Sequence, residues 1–181
     1  AIGVNEGEAD VGDGVQFGAR TALQAGQREL GQREAERRMQ FLEAIREGWD
    51  PGGAHEILLE HLNTPDFLDL VRKVTGVEGL VKADGQATLF APGHYLGRHN
   101  DSHVAEGWEV AYVLNLARDD WHPDWGGYLL FLNDEGDVIE GFRPRFNALN
   151  LFRVPQSHLV SYVPPFAPIG RMAVTGWLRS L

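Results

Sequence analysis

From Gly79 onward the chain is written in short β-forming runs, each cut off by Gly, Pro, Asn or Asp, and this punctuation constrains the fold more than any other feature. The runs are 87–91, 110–116, 128–132, 148–154, 159–163 and 172–177. Strands this short at this spacing close into a sandwich, a barrel or a jelly roll, because a half-buried strand needs a second sheet to cover its apolar face. The expected architecture is mainly β, with the N-terminal helices packed on one outer face.

The first half has a different texture. Residues 1–20 hold glycines at 3, 7, 12, 14 and 18 among acidic residues, without periodicity, and are expected to form a flexible or loosely attached lead. The single domain is then expected over 21–181. From 21 to 49 the composition turns to Ala, Gln, Glu, Arg and Leu. Leu42, Ile45 and Trp49 stand at i, i+3 and i+7 beside Phe41, which predicts an amphipathic helix stopped by Asp50-Pro51-Gly52-Gly53. A second helix is expected over 54–62. Thr64-Pro65-Asp66 reads as the start of a third, with a capping hydroxyl, proline at the first helical position and a carboxylate at the positive end of the dipole. Phe67, Leu68, Val71 and Val74 would be its buried face, and Gly76 its end.

Composition excludes several kinds of chemistry. The chain has 181 residues and no cysteine, so a disulfide framework, a thiolate metal site and a cysteine nucleophile are all ruled out. Any metal must sit on His, Asp or Glu. The net charge of −10 repels a phosphate backbone, so no nucleic-acid partner is expected. No apolar run exceeds five residues, against roughly 20 for a membrane-crossing helix, so no membrane partner is expected either. With neither a secretory leader pattern nor a lipidation signal at the N-terminus, the expected location is cytoplasmic.

Arg98-His99-Asn100-Asp101 sets an imidazole and a carboxylate two residues apart, and on extended backbone such residues project to one side. His99 and Asp101 could then reach one metal ion. His158, at the start of a later strand-like run, could supply a third ligand; two histidines and one carboxylate with open positions form the facial triad of non-haem Fe(II) oxygenases. On spacing alone, two polar surface residues account for His-x-Asp equally well. Arg171 falls on the last predicted strand, where a guanidinium fork would suit a dicarboxylate, with a surface salt bridge as its plain alternative. His103 is better read as a loop histidine than as a further ligand. Ser157-His158 does not read as a hydrolase pair, because strand neighbours face opposite ways and no Gly-x-Ser-x-Gly elbow exists. Trp108, Trp121, Trp125 and Trp177 could line a substrate groove or simply pack, and 118–125 could form a lid.

Several motifs in order resemble the 2-oxoglutarate- and Fe(II)-dependent dioxygenases, and among them the prolyl hydroxylase branch. They are Pro92-Gly93-His94-Tyr95-Leu96-Gly97-Arg98-His99-Asn100-Asp101, Tyr112-Val113-Leu114-Asn115, Trp125-Gly126-Gly127-Tyr128-Leu129, Pro144-Arg145-Phe146-Asn147, Leu151-Phe152 ahead of Ser157-His158, and Arg171-Met172-Ala173-Val174-Thr175-Gly176-Trp177. They span about 67–177. The resemblance implies a double-stranded β-helix, or jelly roll, with the helices packed on one face, in which His99, Asp101 and His158 ligate iron and Arg171 anchors the distal carboxylate of 2-oxoglutarate. Thr175 and Trp177, of Arg171's parity, match positions lining the cosubstrate pocket; Leu129 and Val160 match its apolar lining. Core packing accounts for these four residue types equally well. Relatives often carry a tyrosine on the strand before His-x-Asp, or directly before the Leu-Asn pair. Here those positions are Phe90 and Val113, with Tyr95 and Tyr112 nearby and Tyr95 the better substitute.

The resemblance further implies Fe(II), 2-oxoglutarate as cosubstrate, dioxygen and ascorbate as a stimulant. It implies hydroxylation of a prolyl residue in a protein or peptide, as in the ribosomal-protein and hypoxia-sensing prolyl hydroxylases, with succinate as coproduct. A chain at −10 suits a basic target. The alternatives are a hydroxylase of a free amino acid, a non-catalytic or cupin-like metal-binding module, and an oxygenase that binds iron but turns over poorly. Arg171 separates the first reading from a cupin, which has no need of it.

Overall fold

Helix α3 (Pro65–Thr75) shows how local chemistry sets an element's bounds. The Thr64 side chain accepts a hydrogen bond from the Phe67 N–H at 3.4 Å, Pro65 opens the first turn, and Gly76 closes the last in the left-handed region at φ 68°. Its buried face is Leu68 and Val71, with Phe67 partly buried beside them; Val74, expected inside, is 64% exposed. The computed structural model describes residues 15–16, 37–101, 107–118 and 120–180.

Two further helices precede it, α1 (Phe41–Arg46) and α2 (Ala54–Leu62). Of the helix expected over 21–49, residues 21–36 lie outside the described residues, as does the expected lead apart from 15–16. Within the rest, the helical part is only α1, and Arg37–Gln40 form a strand, β2, which follows a two-residue strand β1 (Val15–Gln16). Pairing with a neighbouring strand overrides the helical composition there. The remaining strands are β3 (Lys82–Ala83), β4 (Gln86–Phe90), β5 (Leu96–His99), β6 (Trp108–Asn115), β7 (Leu129–Leu132), β8 (Val138–Phe142), β9 (Ala148–Arg153), β10 (His158–Val160) and β11 (Arg171–Arg179). The six expected runs correspond to β4, β6, β7, β9, β10 and β11. The others are very short, or, in β8, exposed along most of their length, so they carry little hydrophobic alternation.

Seven strands make one sheet, in the order β1-β2-β4-β11-β6-β9 with β3 also paired to β11; four make the other, β5-β10-β7-β8. Every pairing except β1 with β2 is antiparallel. The two sheets face each other across apolar contacts: Val113 and Ala173 meet Leu129 and Phe131, and Phe90 meets Val160 and Val163. This is the mainly β, jelly-roll type architecture expected. On the outer face of the larger sheet, Val110, Tyr112, Val174 and Leu178 pack against Phe41, Ala44, Leu59, Leu62, Leu68 and Val71 of the helices. Alternation along β11 therefore sorts residues: Val174 and Leu178 face the helices, whereas Arg171, Ala173, Thr175 and Trp177 face the barrel interior.

The register gives that interior its rows. Arg171 sits beside Phe90; Ala173 lies with Thr88, Asn115 and Ala148; Thr175 with Gln86, Val113 and Asn150; Trp177 with Ala111 and Phe152. A register shift between Leu178 and Arg179 absorbs Glu109, so Trp108 pairs with Arg179 and stacks on Trp177, centroids 4.0 Å apart and planes within 6°.

Candidate active site

His99, Asp101 and His158 come together at one place, with one ligand atom from each lying within 4.8 Å of the others. The two histidines are register partners on β5 and β10, which brings their rings to 4.1 Å. Asp101 arrives by a different route from the one parity predicts. β5 ends at His99, and Asp101 adopts φ 56°, a left-handed conformation that aspartate tolerates better than most residues. That turn, not a shared strand face, directs the carboxylate back: Oδ1 is 3.5 Å from His99 Nε2 and Oδ2 is 3.5 Å from His158 Nε2.

Each imidazole is held at its other nitrogen. His99 Nδ1 lies 2.8 Å from the Gly97 carbonyl and His158 Nδ1 lies 2.7 Å from the Gln156 carbonyl. A carbonyl only accepts, so both Nδ1 atoms donate a proton to it, which turns the Nε2 of each ring toward the carboxylate. Burial lowers the His158 pKa to about 4, with a further push from His99 that outweighs the pull of Asp101. His158 is therefore neutral near pH 7. Its lone pair facing an anionic oxygen is an arrangement that a cation between them stabilises. Ligands at about 2.1 Å from a metal and at right angles stand about 3 Å apart, so each 3.5 Å imidazole–carboxylate spacing would contract by about 0.5 Å around an ion, and the widest spacing in the cluster, up to 4.8 Å, by more.

Phe152 and Phe131 wall this cluster, with ring centroids 4.8 and 6.2 Å from that of His158. Phe152 belongs to the interior row of Trp177, so the cluster lies against that end of the barrel. Arg171 starts three rows away and leans toward it: its Nη2 donates to Asn115 Oδ1 at 3.1 Å, one row closer. The guanidinium is 1% exposed and sits 5.4 Å from the Phe90 ring. Among the described residues its buried Nε and Nη1 have no hydrogen-bond partner and no carboxylate is paired with it. Burial lowers its pKa to about 10, which still leaves it charged at neutral pH. A buried cation with unused donors is costly unless an anion completes it, so the arrangement fits the carboxylate of a ligand entering the barrel. Gly127, at φ 68°, is needed beside it: a Cβ there would lie 3.0 Å from Arg171 Cδ.

The remaining expected positions fall as follows. Thr175 faces the interior, where its Oγ1 accepts from Gln86 Nε2 at 3.1 Å, and Gln86 Oε1 accepts from Gln40 Nε2 at 2.8 Å. Leu129 and Val160 are cross-strand partners, 2% and 6% exposed, in the apolar interior. Phe90, at one expected tyrosine position, underlies Arg171, and Val113, at the other, is buried in the interior. Tyr95 is half-buried with its ring 6.5 Å from that of Tyr162. Tyr112 faces the helices instead, donating to the Asp84 carbonyl at 2.8 Å, and burial raises its pKa strongly.

Ser157 points away from the cluster and accepts from Arg98 Nε at 3.0 Å. His103 lies outside the described residues, as does Asp119 of the expected lid. Within that lid segment Trp121 is 1% exposed and packs edge-on to the partly buried Trp125. Sequence reasoning passed over Asn115 and Asn150 as site residues. The signal was present in the Leu-Asn pair, but an asparagine ending a strand is ordinarily read as a turn residue.

No match was found among curated proteins. Among solved structures, a prolyl-4-hydroxylase of Pseudomonas putida is 25% identical with a TM-score of 0.58, over 72% of this chain and 69% of that one. A 2OG-Fe(II) oxygenase family oxidoreductase of Burkholderia pseudomallei is 16% identical with a TM-score of 0.57, over 69% of this chain and 57% of that one. A prolyl hydroxylase of Trichoplax adhaerens, in complex with a hypoxia inducible factor oxygen degradation domain peptide fragment, is 23% identical with a TM-score of 0.51, over 62% of this chain and 52% of that one. The last two show a shared fold, and the chain spans little more than half of each. The family model of the 2OG-Fe(II) oxygenase superfamily matches residues 85–179, a stretch that begins just before β4 and contains His99, Asp101, His158 and Arg171. With its jelly roll, its His-Asp-His cluster and more than half its length matched, the chain belongs to the 2OG-Fe(II) oxygenase superfamily, whose dioxygenases use Fe(II), 2-oxoglutarate and dioxygen.

Proposed function

We propose that this dioxygenase hydroxylates a prolyl residue of a protein or peptide, with His99, Asp101 and His158 holding the iron and Arg171 the distal carboxylate of 2-oxoglutarate. The observation that carries the site assignment is Arg171: a buried, charged guanidinium with Nε and Nη1 unpartnered, in the barrel that also holds the His-Asp-His cluster. A metal-binding jelly roll without the cosubstrate leaves that buried charge unexplained. The prolyl target is supported by the likeness to the Pseudomonas putida prolyl-4-hydroxylase.

Each residue has a separate task. His99 and His158 would ligate through Nε2, each ring being oriented by its Nδ1–carbonyl hydrogen bond, and Asp101 would supply the negative charge. These three residues would leave the rest of the ion's coordination shell to the cosubstrate and dioxygen. Bound iron, cosubstrate and dioxygen supply oxidative decarboxylation to succinate and carbon dioxide, coupled to insertion of one oxygen atom into a substrate C–H bond. Arg171 orients the cosubstrate from its far end. Leu129, Val160, Phe90 and Phe152 keep the space between apolar, which excludes water from the reacting end. Thr175 and Trp177 line the same face, and Tyr95 is the candidate for a further cosubstrate contact.

The helices share one core with the larger sheet, which supports treating 21–181 as one domain. A net charge of −10 favours a basic target over nucleic acid. Among the described residues no helix is long and apolar enough to cross a membrane, and a cytoplasmic location is part of this proposal. Ascorbate is expected to stimulate turnover. The test is succinate formation from 2-oxoglutarate with and without Fe(II), on a panel of proline-containing peptides followed by mass spectrometry for a gain of one oxygen. Iron-dependent turnover that Asp101→Ala abolishes, together with hydroxyproline in a peptide, is the expected result. Normal turnover by Asp101→Ala would sink the metal assignment, and oxidation only of residues other than proline would sink the target.

A further inference from the structure

We propose that Asn115 is a positioning residue that sets the guanidinium of Arg171 for its ligand, held in that role by Asn150; the proposal rests on Arg171 being the carboxylate anchor. Asn115 is 2% exposed, and its two amide ends do different work. Its Nδ2 donates to Asn150 Oδ1 at 2.8 Å and to the Ala148 carbonyl at 3.2 Å, with the Val113 carbonyl at 3.5 Å. All three are acceptors, so the amide cannot be flipped, and Oδ1 must face Arg171 Nη2. The contact ties three adjacent strands, β11, β6 and β9, through side chains on one face.

The choice of an amide here has a chemical consequence. Asn115 is the only hydrogen-bond partner of the guanidinium among the described residues, and it is neutral. A neutral acceptor holds one Nη in place while leaving the positive charge uncompensated and Nε and Nη1 free. A carboxylate at the same position would hold the group equally well but would neutralise it in advance. Asn115 therefore orients the anchor without competing for the anion the anchor is to bind. A flexible arginine stem carries considerable rotamer entropy, and fixing one nitrogen before the ligand arrives removes part of that cost from binding.

The test separates this role from general structural support by using two ligands that differ only at the far end. Protein loaded with Mn(II) is titrated calorimetrically with 2-oxoglutarate and with 2-oxopentanoate, which replaces the distal carboxylate by a methyl group. Wild type is expected to prefer 2-oxoglutarate. Asn115→Ala is expected to lower that preference about tenfold, and Asn115→Asp, which keeps the side-chain volume but gives up the donor to Ala148 and Asn150 and adds a charge against Arg171, about a hundredfold or more. Affinity for 2-oxopentanoate and for Mn(II) should stay unchanged in both, a pattern that loss of fold does not produce. Asn150→Ala should shift the preference in the same direction by less. If wild type discriminates and Asn115→Asp discriminates equally well, the positioning role is overturned while the Arg171 assignment stands. If wild type itself shows no preference and matches Arg171→Met, the anchor assignment fails and this proposal with it.

Discussion

Replacing Arg171 with methionine should make the ligand-free protein more stable while removing its response to 2-oxoglutarate. Arg171 is 1% exposed and, among the described residues, has one neutral hydrogen-bond partner and no counter-ion. Burial pulls its pKa down to about 10. Because the folded state holds that proton less tightly than the unfolded chain does, a protonated Arg171 destabilises the fold at every pH below about 10. The penalty is about 3 kcal/mol at ~1.4 kcal/mol per tenfold. Methionine follows the aliphatic stem along Phe90 and removes the charge, but it strands Asn115 Oδ1, at a cost of about 1 kcal/mol. The net expectation is a gain of about 2 kcal/mol, or about 4–8 °C in Tm for a chain of this size. Wild type with 2-oxoglutarate at a hundred times its Kd gains about 2.7 kcal/mol by mass action, and the variant should gain none. Thermal unfolding followed by near-UV circular dichroism, with Mn(II) present and 2-oxoglutarate added or omitted, reads both effects. A variant less stable than wild type without ligand would show that Arg171 is a structural residue, and undiminished ligand stabilisation would refute the anchor.

Three other expectations can be checked on the same protein. The folded His158 pKa of about 4 lies below its unfolded value of 6.5, so the unfolded chain binds the extra proton between them; metal-free protein should lose stability as pH falls from about 6.5 toward 4, by up to about 3 kcal/mol, in denaturant titrations at stepped pH. His158→Gln should flatten that slope. Gly127→Ala should cost about 1–2 kcal/mol, since a side chain is disfavoured at φ 68° and the new Cβ meets Arg171 Cδ at 3.0 Å, and it should weaken 2-oxoglutarate binding in the calorimeter. Leu178→Ala, at a fully buried position between β11 and the helices, should cost about 2–5 kcal/mol in urea unfolding while leaving ligand affinity intact, because it faces away from the barrel.

The sequence alone determined whatever depends on neighbours along the chain. Thr64, Pro65 and Gly76 set the ends of α3 because caps and turn glycines act over three or four residues. The alternation of Arg171, Ala173, Thr175 and Trp177 assigned one face of β11 because strand periodicity is two. The tertiary structure decided everything that depends on residues distant in sequence. Arg37–Gln40 is a strand because β4 offers it an edge, whatever its helical composition. Asp101 meets His99 and His158 through a left-handed turn that a parity argument could not foresee. Trp108 reaches the barrel interior only because a bulge absorbs Glu109. Above all, a sequence records that Asn115 and Arg171 exist but not that they share a buried hydrogen bond across 56 residues. The chemistry of the site resides in such pairings, since a buried charge is defined by what surrounds it and not by what precedes it in the chain.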